Sequence, residues 1–413
     1  MSNKNSYKMY PSDWVNYTFD ELFAFEGGLS ISRANLSNEG ICYLHYGDIH
    51  KTNDNYINIE KNFDSIPKYN KPLESINKKY LLNDGDIVFA DASEDYEGIG
   101  KAVVVKNPSN IPFISGLHTI VARDKTDVLN NEYKRFFLSD WNIRKQIMLM
   151  ATGISVYGLS QENVRKIKVT LPKRQEQQKI ASILSTWDKA IELKEKLIEQ
   201  KIQQKKGLMQ KLLTGEVRLP GYSGEWKKVK LGEILKERKE TGYTELELLA
   251  ITSRKGVVKR TEVDIKDNSS EDKSKYKRIL PNDIGYNTMR MWQGVSGVSK
   301  YEGIVSPAYT ILKPTNKVNS NFIGYLFKLP KIINLFRRYS QGLVSDTLNL
   351  KYENLKGIKV TIPQDVEEQK KIAEILLSID NEIEMLQEYV NYLKQQKKGL
   401  MQLLLTGKVR VKV

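Results

Sequence analysis

The sequence predicts an α+β protein in which two β-rich globular domains are separated by a long antiparallel two-helix coiled coil, the halves forming a pseudo-two-fold repeat. Three observations lead there. Glu176–Leu219 aligns without a gap on Glu368–Val411 at a constant offset of 192, with 24 of 44 pairs identical, and the eight letters QQKKGLMQ at Gln203–Gln210 return at Gln395–Gln402. A period that long marks a duplicated half-molecule, since solenoid units repeat every few tens of residues. Each copy also carries helical periodicity, and each is preceded by a segment of short apolar runs punctuated by turn residues.

Residues 1–172 form the first globular domain. Runs such as IVFA, KAVVV and HTIVA alternate with Gly, Asn, Asp and Pro, which reads as strands and turns. Residues 173–215 form the first helical spacer: from Lys173 to Leu213 there is no proline, and the only glycine is Gly207. Residues 216–363 form the second globular domain, a distant relative of the first. Each begins at a tryptophan, WVNYTFDELF from Trp14 and WKKVKLGEIL from Trp226. Each ends alike, in LSQENVRKIKVTLP and LKYENLKGIKVTIP. Between these borders GDIVF echoes NDIGY, and SGLHTIV echoes SPAYTIL. Helical candidates inside the domains are NEYKRFFLSDWNIRKQI and NFIGYLFKLPKIINLFRRY.

Residues 364–413 form the second spacer. Positions 372, 376, 379, 383, 386, 390, 393, 397, 400 and 404 are spaced alternately four and three apart and are apolar except for Lys397, the seam of a coiled coil. The first copy has the matching Ile180, Leu184, Trp187, Ile191, Ile198, Leu208 and Leu212, with lysines at 194, 201 and 205. Both helices end at LLTG, where Gly215 and Gly407 suit a left-handed cap. Gly207 and Gly399 lower helix stability by about 1 kcal/mol each relative to Ala, and predict a kink or a close backbone approach. Lys173–Leu213 carries ten basic and five acidic residues, Gln364–Leu405 five and eight. Opposite net charges favour pairing the two helices with each other. Chain order makes that pair antiparallel, and about 40 residues span roughly 60 Å.

The chain has 413 residues and 40% hydrophobic content, with no 18-residue apolar run and no apolar core in its N-terminal segment to read as a secretory signal. A lone cysteine, Cys42, excludes an internal disulfide framework, reads as a small buried hydrophobe and fits a reducing cytoplasm. The net charge is +15. The helices contribute only +2 of it, so the basic surface lies on the globular domains. Such charge points to a polyanionic partner, although an AT-rich genome would also enrich lysine. Catalytic signatures are absent: there is no GxxxxGK[ST], no NPP followed by an aromatic residue and no DxFxGxG. His45, His50 and His118 lack companions at zinc spacing, and Asp84 and Asp86 read as turn formers.

The QKIAxIL…QKKGLMQxLLTGxVR repeat, with a β-rich domain ending in IKVTLP or IKVTIP before each copy, resembles the specificity subunit of type I restriction–modification systems. The resemblance covers almost the whole chain and is most specific in the helices. It implies that each globular domain is a target recognition domain for one half of a bipartite double-stranded DNA site, and that the helices are a spacer docking two modification (methyltransferase) subunits. Restriction (motor nuclease) subunits complete the complex. The chain itself is then not an enzyme and carries no cofactor; S-adenosylmethionine, ATP and Mg belong to the partner subunits. Unlike domains imply unlike half-sites and an asymmetric target.

The loops chosen as DNA contacts are Leu44–Lys51, Ala90–Gly98 and Thr152–Gly158 in the first domain, and Thr252–Gly256, Tyr286–Gly294 and Ser340–Asp346 in the second. The individual candidates are Tyr46, His50, Lys51, Ser93, Ser155, Tyr157, Ser253, Arg254, Lys255, Asn287, Arg290, Trp292 and Ser345. Arg254 and Arg290 suit guanine, whose O6 and N7 a guanidinium can pair together. The docking candidates are the recurring Gln203, Lys205, Lys206 and Gln210 with Gln395, Lys397, Lys398 and Gln402. Two alternatives stay open: a self-contained DNA-modifying enzyme with degenerate motifs, and a structural coiled-coil adaptor.

Overall fold

A computed structural model describes residues 10–52, 55–253, 255–263 and 269–412. It divides into two compact units, Met1–Leu193 with Tyr389–Val413, and Lys194–Glu388. Each unit therefore joins one globular domain to parts of both long helices, Arg174–Thr214 and Val366–Leu405.

In the first unit the strand Val15–Thr18, which follows Trp14, pairs antiparallel with Lys168–Leu171 from the IKVT segment. The domain thus closes where it opened. Its main sheet runs, in spatial order, Phe23–Gly27, Thr119–Asp124, Ile87–Ala90, Ala102–Lys106 and Tyr56–Asn58, and only the last pair is parallel. Phe19, Phe89, Tyr133 and Phe137 fill the core beneath it, and Ile180 and Leu184 of the first long helix join the same cluster. A smaller sheet orders Lys68–Tyr69, Ile41–Leu44 and Phe113–Ser115. Cys42 lies buried in it, as expected of a small hydrophobe.

The second unit repeats the plan. Trp226–Lys230 pairs with Lys359–Pro363, and the four-stranded sheet orders Leu235–Arg238, Tyr309–Pro314, Ile284–Asn287 and Ser296–Val298, all antiparallel. GDIVF and NDIGY, recognised as echoes in sequence, supply the same strand of the two sheets. Asp86 and Asp283, each just before that strand, are both held by an arginine at 3.1 and 2.6 Å, but the arginines come from different strands, Arg123 from Thr119–Asp124 and Arg238 from Leu235–Arg238.

Each domain helix expected from sequence is two helices. The first candidate divides into Asn131–Phe137 and Trp141–Met150, because Asp140 accepts the Asn142 N–H and starts a new helix. The second divides into Ser320–Leu326 and Pro330–Tyr339. Proline forces the preceding residue out of the helical region but suits a first helical position.

Within each unit the long-helix segments run antiparallel. In the first unit Asp188 pairs with Lys397 and Glu176 with Arg410; in the second, Lys201 pairs with Glu382, Lys205 with Asp380, and Arg218 with Glu368. Partner numbers fall on one helix as they rise on the other. The predicted seam is the buried face: Ile372, Leu376, Ile383, Val390, Leu393 and Leu404 are all buried. Of the lysines that interrupt the seam, Lys201, Lys205 and Lys397 meet acids of the opposite helix. Both helices end in a left-handed glycine, Gly215 at φ 74° and Gly407 at φ 67°. The next N–H but one reaches back across the last turn, from Val217 to Lys211 O and from Val409 to Leu403 O.

Candidate functional site

Two classes stand out among the polar identities of the two helical copies. In one, the residues have partners inside the chain and the partners correspond. Gln177 accepts the Asn130 N–H and donates to Val128 O and Pro172 O; Gln369 accepts the Asn319 N–H and donates to Lys317 O and Pro363 O. Glu176 and Glu368 are buried and each holds an arginine, Arg410 and Arg218, by two bonds. Lys397 and Lys205 bond Asp188 and Asp380, and lie over the rings of Phe136 and Tyr325 at 5.6 and 5.1 Å. These residues lock each globular domain to the helix pair.

Gln203, Gln204, Lys206 and Gln210, with Gln395, Gln396, Lys398 and Gln402, form the other class. All are exposed. Among the described residues none of their side chains has a hydrogen bond or ion pair. Gly207 and Gly399 belong with them. A Cβ at either would meet nothing within 4 Å, so the close approach expected there is not made among the described residues, and the helices run unbroken through both glycines. Each unit therefore displays one copy of the same bare polar surface. The docking candidates accordingly separate: Lys205 and Lys397 are fixed inside the helix pair, and the other six face outward.

The loops chosen in the first domain do meet. His50 Nε2 lies 2.8 Å from Ala92 O, and Tyr157–Gly158 pairs as a short strand with Ala92–Ser93. Tyr46 is central. Rings of His45, His50 and His118 surround it at 4.5, 6.1 and 5.3 Å, so the chain's three histidines gather on one tyrosine. Among the described residues no group of three or more His, Cys, Asp or Glu is placed to hold a metal ion. His118 also faces Asp91 at 3.1 Å. Burial pushes the Asp91 carboxyl above its ordinary range, with His118 opposing the shift. Lys101 donates to His50 O and Thr52 O, and desolvation holds its ammonium below the usual lysine range. Lys51 and Ser155 are exposed, and Tyr157 packs edge-on against Tyr96 at 5.3 Å. Ser93 is a correction: at 4% exposure its hydroxyl accepts the Asp95 N–H and braces the loop from within.

In the second domain Asn287 Oδ1 accepts the Met289 N–H, and Trp292 Nε1 donates to Met289 O. This turn leaves Arg290 exposed, without an ion pair among the described residues, and sets Trp292 beneath Arg337 at 5.9 Å. Leu350 N–H donates to Thr288 O, which joins the loop ending in Leu350 to this turn; Ser345 is exposed on that loop. Ser253 and Lys255 lie exposed at the tip of a hairpin between Leu249–Thr252 and Gly256–Lys259. Arg254 lies outside the described residues. His118 and Arg337 belong to these clusters but lie in none of the loops named from sequence, and Tyr96 lies in one of them, Ala90–Gly98, without being singled out. His118 had a signal, since SGLHTIV was matched to SPAYTIL, but its neighbours come from strands far apart in the chain.

The framework is common to the two domains: the strand Ile87–Ala90 or Ile284–Asn287 runs into a loop, and that loop is held by the segment before the closing strand. Leu159 N–H bonds Asp91 O as Leu350 N–H bonds Thr288 O, at 2.8 and 2.9 Å. The side chains mounted on it differ, histidines and tyrosines in one, arginines and tryptophan in the other.

Among proteins of known sequence, a Methanocaldococcus jannaschii protein that carries the name type I restriction enzyme MjaX specificity subunit is 28% identical over 361 residues, 81% of this chain and 80% of its own. The MjaVIII specificity subunit of the same organism is 26% identical over 392 residues, 83% of each chain. Among solved structures, the type I restriction–modification S subunit from M. genitalium superposes with a TM-score of 0.53 at 16% identity, covering 98% of both chains. The HsdS subunit from Thermoanaerobacter tengcongensis gives 0.52 at 15%, covering 99% of this chain and all of that one. These two share the fold. The type I restriction modification DNA specificity domain matches twice, over residues 11–204 and 223–395, and with most of its length inside those two matches the chain belongs to that family.

Proposed function

We propose that this chain is the DNA-reading and assembly subunit of a type I restriction–modification complex, each globular domain reading one half of an asymmetric bipartite site. One observation carries the reading: a repeated loop framework bears unlike side chains in the two domains. A common frame suits a common task, the approach to a duplex, and unlike side chains suit unlike bases. Arg290 is the choice for guanine, since it stands exposed on a braced turn with no ion pair among the described residues and a guanidinium can pair O6 and N7 together. Tyr46, His50, Ser155 and Tyr157 face the first half-site, and Lys51, Ser253 and Lys255 serve as further contacts, to phosphates or base edges. The second, bare surface around Gln203, Lys206 and Gln210, repeated at Gln395, Lys398 and Gln402, fits two copies of one partner, because identical surfaces suit identical subunits. That partner is the modification subunit. In this reading restriction subunits add to the assembly, S-adenosylmethionine, ATP and Mg act in the partners, and this chain contributes no catalytic group. Among the described residues no helix is long and apolar enough to cross a membrane.

Methylome sequencing of a host expressing the chain with its modification subunit tests this directly. The expected result is one methylated motif with two unlike halves and a fixed gap, and DNA binding by the purified chain that weakens steeply with salt. A contiguous or palindromic motif would overturn the two-head reading. Methylation by the chain alone would favour a self-contained enzyme.

A further inference from the structure

Ile154 is 94% exposed and Leu343 101%, the most exposed large apolar side chains described, and each has an exposed valine close by, Val156 at 58% and Val344 at 61%. A single exposed aliphatic residue is ordinary. Here the same placement occurs twice, in domains whose sequences have otherwise diverged.

Both residues stand at the tip of a tightly built loop. Thr152 and Gly158 exchange two backbone hydrogen bonds at 3.0 and 2.7 Å, and Gln341 and Asn349 do so at 2.9 and 2.8 Å. Each tip turns at a glycine, Gly153 at φ 123° and Gly342 at φ 142°, a region that L side chains rarely adopt. A Cβ at Gly153 would lie 2.0 Å from Val156 O, and one at Gly342 2.6 Å from Thr347 O. The loops fold back on themselves, and the bonds of Leu159 to Asp91 O and of Leu350 to Thr288 O fix their bases. The aliphatic tip is held out from the domain by its own backbone.

We propose that Ile154 and Leu343 are wedges that enter the DNA base stack, one in each half-site, and open a base step beside the bases being read. This rests on the DNA-reading function proposed above and names residues for it. The choice of DNA follows from what recurs and what does not. The interior of every base step is apolar whatever its sequence, so a wedge is aliphatic in both domains while the polar groups around it change with the half-site. Those groups do change: Tyr96, Tyr157 and Ser155 flank one tip, and Arg290, Arg337 and Arg338 lie on the segments that hold the other, with charge suited to phosphates. A surface for two copies of one protein would repeat its surroundings, as the bare helix surface does.

The experiment uses the isolated full-length chain, without modification subunits, and duplexes bearing the motif found by methylome sequencing, with 2-aminopurine at each position in turn. Wild-type chain should raise the fluorescence at one step in each half-site. Ile154→Ser should abolish the rise in one half only and lower affinity on the order of tenfold, since the step is no longer opened. Leu343→Ser should do the same in the other half. Ile154→Leu should restore both readouts, and a mismatch at the affected step should rescue Ile154→Ser, because an opened step needs no wedge. Salt-sensitive wild-type binding with no fluorescence rise at any step overturns the wedge and leaves DNA reading standing. Deoxyuridine in place of thymine reproducing the loss would mean that the tips read thymine methyls instead. Lost modification-subunit assembly with unchanged DNA binding would make the tips protein contacts. No wild-type binding at all sinks both proposals.

Discussion

Gly207 and Gly399 have the helix-weakening effect of glycine with no compensating contact among the described residues, whereas their neighbours Lys205 and Lys397 are held by Asp380 and Asp188. Adjacent letters of one repeated motif therefore serve different purposes. The sequence could not separate them, because Asp380 lies 175 residues from Lys205 in the chain. Gly207→Ala with Gly399→Ala should stabilise the isolated chain by about 1 kcal/mol per site and yet weaken co-purification with the modification subunit, if a partner's backbone approaches there. Lys206→Glu with Lys398→Glu should weaken assembly and leave thermal stability within about 0.5 kcal/mol of wild type, as for exposed sites. Lys205→Glu with Lys397→Glu should lower stability itself, setting like charges against Asp380 and Asp188. Thermal unfolding and co-purification measured on the three pairs distinguish the cases. Unchanged assembly in the glycine and Lys206/Lys398 pairs would remove the docking surface.

At the scale of elements, the long helices were the most legible part, because a seam of fours and threes from position 372 to 404 is the pattern of a coiled coil. Their shorter counterparts differ from the expectation for local reasons: Asp140 caps a new helix inside a stretch expected to be one helix, and Pro330 starts one where a continuation was expected. The chain passes between its compact units twice, within one long helix each time. Four residues inserted near Glu195 lengthen a helix by about 6 Å and rotate the seam by about 40°. Inserted there alone, they should shift the first helix against the ion pairs of the second and lower stability. Inserted also at the equivalent Gln387, they should preserve the pairing and widen the gap in the methylated motif without changing its bases. An unchanged gap with a stable, assembled double insertion would show that the helices do not set the distance.

For the whole molecule, duplication explains what the sequence could and could not reveal. Matched borders were visible because they are structural. Trp226–Lys230 and Lys359–Pro363 must pair wherever such a domain is closed, and Gln369 must bond Pro363 O wherever a helix leaves it. The candidate loops were visible only as places, because tertiary packing decides which side chain faces outward: Ser93 is turned in, and Ile154, inside Thr152–Gly158 but not singled out there, is turned out. The same division makes the domains exchangeable. Each begins and ends on one pair of strands and is tied to the helices through residues that recur, Glu176 and Glu368 with their arginines, and Gln177 and Gln369 with the domain backbone. Replacing residues 216–363 by the corresponding domain of another family member should therefore preserve folding and assembly, change one half of the methylated motif and leave the other half as it was. The replacement keeps the ties only if it supplies an arginine where Arg218 holds Glu368, so a donor lacking it should regain stability when the arginine is restored. Simultaneous change of both halves in a stable, assembled chimera would mean that the two heads do not read independently.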